Sequence, residues 1–320
     1  MPAISASAPG KIILVGEHAV VYGQPAIAIP VTGVKAKVVV LANPIGPAGQ
    51  VWVEAPQVGI NSPVELLPDE YPLRVILQEV TTTLGIPSLP AMRIKITSTI
   101  PKAAGMGSSA AVTVALVRAV SAFLGHPFDD RVVNQIAYNI EKLHHGTPSG
   151  IDNTVITYAQ PVYFIRGEPI QFLQVSQPFT LLIADSGIES STAETVSAVR
   201  RRWQSQPDHY EELFRLIGNI SQKARIFLQN GPVDALGELL TGNHHLLQSL
   251  GVSLPALDRL VDAALAAGAQ GAKLSGGGGG GNVIALVAGP DAPAVSQALL
   301  AAGARNTIMT TIHPVHTEGS

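Results

Sequence analysis

The stretch "KLSGGGGGGNVIAL", Lys273 to Leu286, limits the fold most sharply, because it holds six consecutive glycines, Gly276 to Gly281. Glycine loses the most backbone freedom on ordering, and a run of it usually reads as a flexible linker. The flanks argue otherwise. "GAKLS" and "NVIALVAG" both look like strands of one domain, so the run joins neighbours inside that domain. A loop inside one domain then replaces a hinge between domains.

The rest of the chain supplies the elements around that loop. "IILV" (12–15), "AIAIPV" (26–31) and "AKVVVLA" (36–42) predict short strands bounded by Gly or Pro. "YPLRVILQEVTTTLG" (71–85) has helical spacing and a Gly stop, and "MRIKITS" (92–98) alternates like a half-buried strand. Two helices follow, "SSAAVTVALVRAVSAFLG" (108–125) and "DDRVVNQIAYNIEKLHHG" (129–146). Beyond residue 160 come a hairpin, "PVYFIRGEPIQFLQV", and a buried strand, "FTLLIADSG" (179–187). Helical patterns then run over 192–250 and 254–267, with a last helix near 291–302 and a last strand, "NTIMTTIHPV". Strands do not alternate regularly with helices, so the fold class is α+β. With 320 residues, two domains are expected, 1–178 and 179–320.

Composition excludes several functions. Only 13% of residues are charged and the net charge is −3, without a long basic block, so neither nucleic acid nor an anionic membrane is an expected partner. There is no cysteine, which removes disulfides, thiolate metal sites and Cys nucleophiles. "MPAISASAPGKIIL" is not a secretory signal, and no run of about 18 apolar residues reads as a membrane span, so a soluble, cytoplasmic protein is expected.

Three stretches carry chemistry. "PKAAGMGSSAA" (101–111) follows a strand and opens a helix, which aims free N–H groups and a positive dipole end at the loop. Gly105 and Gly107 allow close backbone approach, and Ser108 and Ser109 add hydroxyls at the N-cap. The stretch reads as a phosphate cradle; the plainer alternative is an ordinary Gly-Ser helix start. "EKLHHGTPSGIDN" (141–153) carries Glu141 at a helix end and Asp152 across a Gly/Pro/Ser turn. A carboxylate at the negative end of a helix makes more sense beside a cation. The alternatives are a solvated Glu141 and an Asp152 that caps the next helix. "APGKIILVGEHAVVYGQPAIAIPV" (8–31) places Lys11 on an apolar strand and Glu17 and His18 at a turn; by itself His18 reads as structural. His244 and His245 lie on a helical stretch without His or carboxylate partners at metal spacing, and read as structural too.

Taken in order, "PGKIILVGEHAVVYG", "PKAAGMGSSAA" and "KLSGGGGGGNVIAL" resemble the three motifs of the GHMP kinases, the small-molecule kinases named for galactose, homoserine, mevalonate and phosphomevalonate. "GEHAVVYGQPAIAIPV" and "HGTPSGIDNTV" are most similar to the family's mevalonate-phosphorylating branch. The resemblance implies a two-lobed α+β fold, a ribosomal-protein-S5-domain-2-like lobe followed by a ferredoxin-like one. It implies ATP and Mg²⁺ as cofactors, mevalonate as small-molecule partner, and a monomer or homodimer. It implies a phosphate loop of Lys102, Ala103, Ala104, Gly105, Met106, Gly107, Ser108 and Ser109, with Mg²⁺ held by Ser109 and Glu141. Asp152 would act as base or orienter of the acceptor hydroxyl, paired with Lys11. Lys11, Glu17, His18, Asp152, Thr192, Gly277 and Gly278 would line the acceptor side. The glycine run would close over the transferring phosphate and the acceptor, large side chains there would block that approach, and Gly278→Val would damage catalysis far more than folding. Other alcohols, phosphomevalonate or the 3-hydroxyl of mevalonate, stand as alternative acceptors, and a non-catalytic metabolite-binding regulator as an alternative role. Two departures stand out. Gly277 replaces the alanine of the usual KLTGAGGGG pattern, and Ser190 stands where animal relatives carry a basic residue.

Overall fold

Short apolar segments punctuated by Gly and Pro form most of the strands, and longer segments of 3.6-residue period form the helices. The computed structural model describes residues 3–47, 49–101, 105–145 and 148–314. The elements are β1 (Ala3–Val15), β2 (Ala26–Ala42), β3 (Val51–Ala55), β4 (Ile60–Pro63), α1 (Pro72–Leu84), β5 (Met92–Ser98), α2 (Ser108–Phe123), α3 (Asp130–His145), α4 (Ile151–Tyr158), β6 (Val162–Phe164) and β7 (Gln171–Phe172). They continue with β8 (Phe179–Asp185), α5 (Thr192–Ser205), α6 (Pro207–Asn230), α7 (Leu236–Ser249), α8 (Pro255–Ala266), β9 (Gly271–Ser275), β10 (Asn282–Val287), α9 (Ala292–Ala301) and β11 (Asn306–Ile312). The fold is α+β, as expected. No helix among the described residues is long and apolar enough to cross a membrane.

The chain divides into two compact units, and the division is discontinuous. One holds residues 1–10, 34–101 and 107–159; the other holds 11–33, 102–106 and 160–320. The 178/179 position lies inside the second unit, where β8 begins.

In the first unit, the strand order β4-β3-β5-β2 combines a parallel β3–β5 pair, Val51 opposite Met92, with an antiparallel β5–β2 pair, Ala36 opposite Ser98. Helices α1 to α4 pack on one another, and α2 is buried on most of its surface from Ala110 to Ser121. An all-round apolar helix is stable only when enclosed in this way.

In the second unit, a four-stranded antiparallel sheet runs β11-β8-β10-β9. Its core gathers Leu182, Phe214, Ile217, Leu247, Leu257, Leu274, Val283 and Leu299, and it also takes in Ala19. Tyr22 stacks on Phe214, with ring centroids 4.0 Å apart and planes 11° from parallel. These contacts explain why residues 11–33 belong with the C-terminal elements: they bury apolar surface there.

The second strand departs from expectation. Residues 26–42 form one strand rather than two separated by residues 32–35. The reason is a backbone crossing. Thr32 N–H donates to Thr310 Oγ1 at 3.2 Å, and a Cβ on Gly33 would lie 2.4 Å from Met309 O. Glycine marks the close approach of β11 instead of a break. The 161–175 hairpin forms as expected, with Val162 opposite Phe172.

Candidate active site

The loop after β1 is built under constraint. Gly16 sits at φ +100°, and a Cβ there would fall 2.4 Å from Ala26 Cα, so only glycine fits. Ala19 N–H then donates to Glu17 O at 2.6 Å, and His18 between them has φ 59° and ψ −50°. This is a γ-turn of the positive-φ kind, rare and strained for a residue with a side chain. Such strain persists only where the surroundings over-determine it.

They do so here from the far end of the chain. Lys273 on β9 is fully buried, and its ammonium forms an ion pair with the buried carboxylate of Glu17. Burial pushes the Lys273 ammonium below the usual lysine range, against the opposing pull of Glu17. His18 Nε2 donates to Gly277 O at 2.9 Å; a carbonyl can only accept, so Nε2 carries the proton. Burial holds His18 below its ordinary pKa, which keeps the ring neutral near pH 7. Ser275 Oγ donates to Ile13 O at 2.6 Å. On the other flank, the Lys11 N–H donates to Met106 O at 3.0 Å, and the Lys11 residue is buried. One short segment, Lys11–His18, is thus hydrogen-bonded both to the phosphate-loop stretch and to the glycine hairpin.

The glycine run is the turn of that hairpin. Ser275 and Asn282 face each other where β9 and β10 meet, so the run joins paired strands, as its flanks predicted. Five of the six glycines have positive φ; Gly277 does not. Gly279 N–H donates to Val252 O at 2.8 Å, Gly281 N–H to Ile188 O at 2.9 Å, and Ser190 Oγ to Gly278 O. Thr192, at the start of α5, lies so near that a Cβ on Gly277 would sit 3.1 Å from its Cα. Ser190, in place of a basic residue, anchors the hairpin. A Cβ on Gly278 would lie 2.2 Å from Val252 O, so Gly278→Val disturbs the folded loop itself. This corrects the expectation that such a change spares folding.

Glu17, His18, Thr192, Gly277 and Gly278 therefore come together within the second unit. Sequence reasoning missed Lys273, whose partner stands 256 positions away. It also missed the carboxylate beside His244. His244 Nδ1 accepts from Leu274 N–H at 3.3 Å and Nε2 meets Asp258 Oδ1 at 3.1 Å, a structural arrangement in which Asp258 comes from α8.

In the first unit, α2 starts at Ser108 with Gly107 as its N-cap, at φ 69°, and no side chain caps it. Ser108 and Ser109 are thus the first two helical residues rather than caps. Gly105, counted with the second unit, also has positive φ, 66°. First-turn N–H groups without a side-chain cap, behind a left-handed glycine at the N-cap, suit an anion. Glu141 is buried near the end of α3, which removes the solvated-surface alternative. Asp152 is half-buried in the first turn of α4, where Gly150 is the N-cap and no side-chain cap bond forms, so Asp152 is not the cap. Lys102, Ala103 and Ala104 lie outside the described residues. Among the described residues, no group of three or more His, Asp or Glu could hold a metal ion unaided.

The first unit thus holds an uncapped helix start and a buried carboxylate, and the second holds a glycine hairpin hydrogen-bonded to the loop after β1. The chain matches the GHMP kinases N terminal domain over residues 70–160 and the GHMP kinases C terminal family over residues 224–305. It belongs to the GHMP kinases. Its relatives there include the mevalonate kinase of Pyrococcus horikoshii, 33% identical over 89% of each chain. The structure of L. major mevalonate kinase in complex with R-mevalonate superposes with a TM-score of 0.82, at 29% identity over 97% of this chain and 96% of the other. That of the Methanococcus jannaschii mevalonate kinase gives 0.84, at 25% identity over 98% and 99%.

Proposed function

We propose that this chain is an ATP-dependent kinase that phosphorylates the 5-hydroxyl of mevalonate, in the mevalonate route to isoprenoids. The observation that carries the reading is the double attachment of Lys11–His18, to Met106 on one side and to Lys273 and Gly277 on the other. Membership of the family and the likeness to mevalonate kinases over nearly the full chain support it.

The chain's own residues divide the work. Backbone N–H groups of the 102–109 loop and the start of α2 wrap the phosphates. Asp152 orients the acceptor hydroxyl and takes its proton, and Lys11 stabilises the developing negative charge. Ser109 and Glu141 would hold Mg²⁺. Two oxygen donors from the protein suit an ion whose remaining sites go to phosphate oxygens and water. When bound, the ion neutralises phosphate charge during transfer. Glu17, His18, Thr192 and the Gly277–Gly278 backbone shape the acceptor end. Transfer of this kind is mostly positioning and charge stabilisation.

The test is ADP release with Mg·ATP against a panel of mevalonate, phosphomevalonate, homoserine and galactose, with ³¹P and ¹³C NMR of the product. The expected result is mevalonate-dependent release and a new phosphate ester at C5. Release with phosphomevalonate alone, or a phosphate at C3, would replace the reading.

A further inference from the structure

Lys273 stands out among the described residues. It is a lysine with no exposed surface, in the middle of a strand whose five residues are all buried. Its ammonium is matched by Glu17 Oε1. A buried ion pair offers little stability over a packed apolar pair of similar volume. What it does supply is direction: one carboxylate oxygen is held, and the orientation of the other follows. Glu17 Oε2 is buried and has no hydrogen-bond partner among the described residues. A carboxylate oxygen left in that state is costly unless a donor reaches it, and a ligand hydroxyl is such a donor. The neighbouring strain points the same way, since the positive-φ turn at His18 is held between the Glu17–Lys273 pair and the His18–Gly277 bond.

We propose that Lys273 is a positioning residue: acting through Glu17, it fixes the strained Glu17–His18–Ala19 turn against the glycine hairpin and presents Glu17 Oε2 to a hydroxyl of the acceptor. This rests on the reading above that Glu17 and His18 serve the acceptor end. Lys273 itself touches neither substrate. Its effect therefore falls on acceptor affinity, not on the use of ATP.

The experiment compares wild type, Glu17→Gln, Lys273→Met and the double variant Glu17→Gln/Lys273→Met. Readouts are KM for mevalonate, KM for ATP, thermal unfolding, and hydrogen exchange of peptides covering 16–23 and 276–281. A lone Lys273→Met leaves a buried carboxylate unmatched and loses stability, whereas the double variant is neutral at both positions. The expected result is a mevalonate KM raised about 10-fold or more in each variant, with KM for ATP within about 2-fold of wild type. The double variant should match Glu17→Gln rather than multiply the two effects, because one residue acts through the other. A mevalonate KM in the double variant a further 10-fold above Glu17→Gln, or equal to wild type, overturns the proposal, and neither outcome depends on Lys273→Met folding. If wild type releases no ADP with mevalonate, the proposed function fails instead. The positioning role is then read from hydrogen exchange alone: faster exchange in both peptides of the double variant supports it, and unchanged exchange overturns it.

Discussion

Replacing Gly278 with alanine should cost far more than the same change one residue earlier. At Gly278, φ is +73° and the new Cβ would meet Val252 O at 2.2 Å and Val252 Cβ at 2.9 Å. A left-handed conformation costs a residue with a side chain about 1–2 kcal/mol. Relieving the overlap by backbone displacement adds about 1–3 kcal/mol. Val252 O also accepts from Gly279 N–H at 2.8 Å, and moving it weakens a bond with a net worth of about 1 kcal/mol. The sum is roughly 3–6 kcal/mol, a large part of the 5–15 kcal/mol that typically holds a protein folded. At Gly277, φ is not positive and the nearest atoms are Thr195 Oγ1 at 3.0 Å and Thr192 Cα at 3.1 Å. A shift of a few tenths of an ångström accommodates the methyl group. The restriction of the unfolded chain returns about 0.4–1 kcal/mol, so Gly277→Ala should stay within about 1 kcal/mol of wild type. This is also the one position of the run where the family pattern carries alanine. Guanidinium unfolding of both variants measures the difference. Equal stabilities, or a Gly277→Ala variant losing more than Gly278→Ala, would refute the reasoning.

Three further outcomes are expected. Asp152→Asn should lower kcat by at least about 10²-fold in the ADP-release assay, and near-normal turnover would remove Asp152 from the chemistry. Ser109→Ala, at an exposed position of the first helical turn, should raise KM for Mg·ATP while leaving thermal stability unchanged; an unchanged KM and kcat would count against its role. Stability should fall as pH drops below about 6.5. His18 and His244 both titrate below their ordinary value because of burial, so the unfolded chain takes up protons in that range that the folded chain refuses. The corresponding stability is complete above the unfolded pKa and is lost on acidification. His244→Gln should show a shallower fall of Tm between pH 7.5 and 5.5, and an identical slope would refute the assignment.

The sequence by itself determined the element types, because local periodicity and Gly/Pro punctuation act over a few residues. Strand 92–98, helices 72–84 and 108–123, and the hairpin role of Gly276–Gly281 were all legible in this way. The motifs were legible too, since each is a contiguous run. Tertiary structure alone decided which distant residues meet. Gly33 looked like a strand break until the crossing of β11 explained it. The capping alternative for Asp152 fell only when Gly150 took that place. The attachment of residues 11–33 to the C-terminal elements carries no local signal, because it depends on Ala19 and Tyr22 finding apolar partners some 200 positions away. Lys273 was the least visible. Within "GAKLS" it reads as a single charged residue in a mostly apolar strand, and its meaning comes only from a carboxylate brought to it by folding. A buried charge is tolerated only beside its counter-charge, and sequence cannot show where that counter-charge will be.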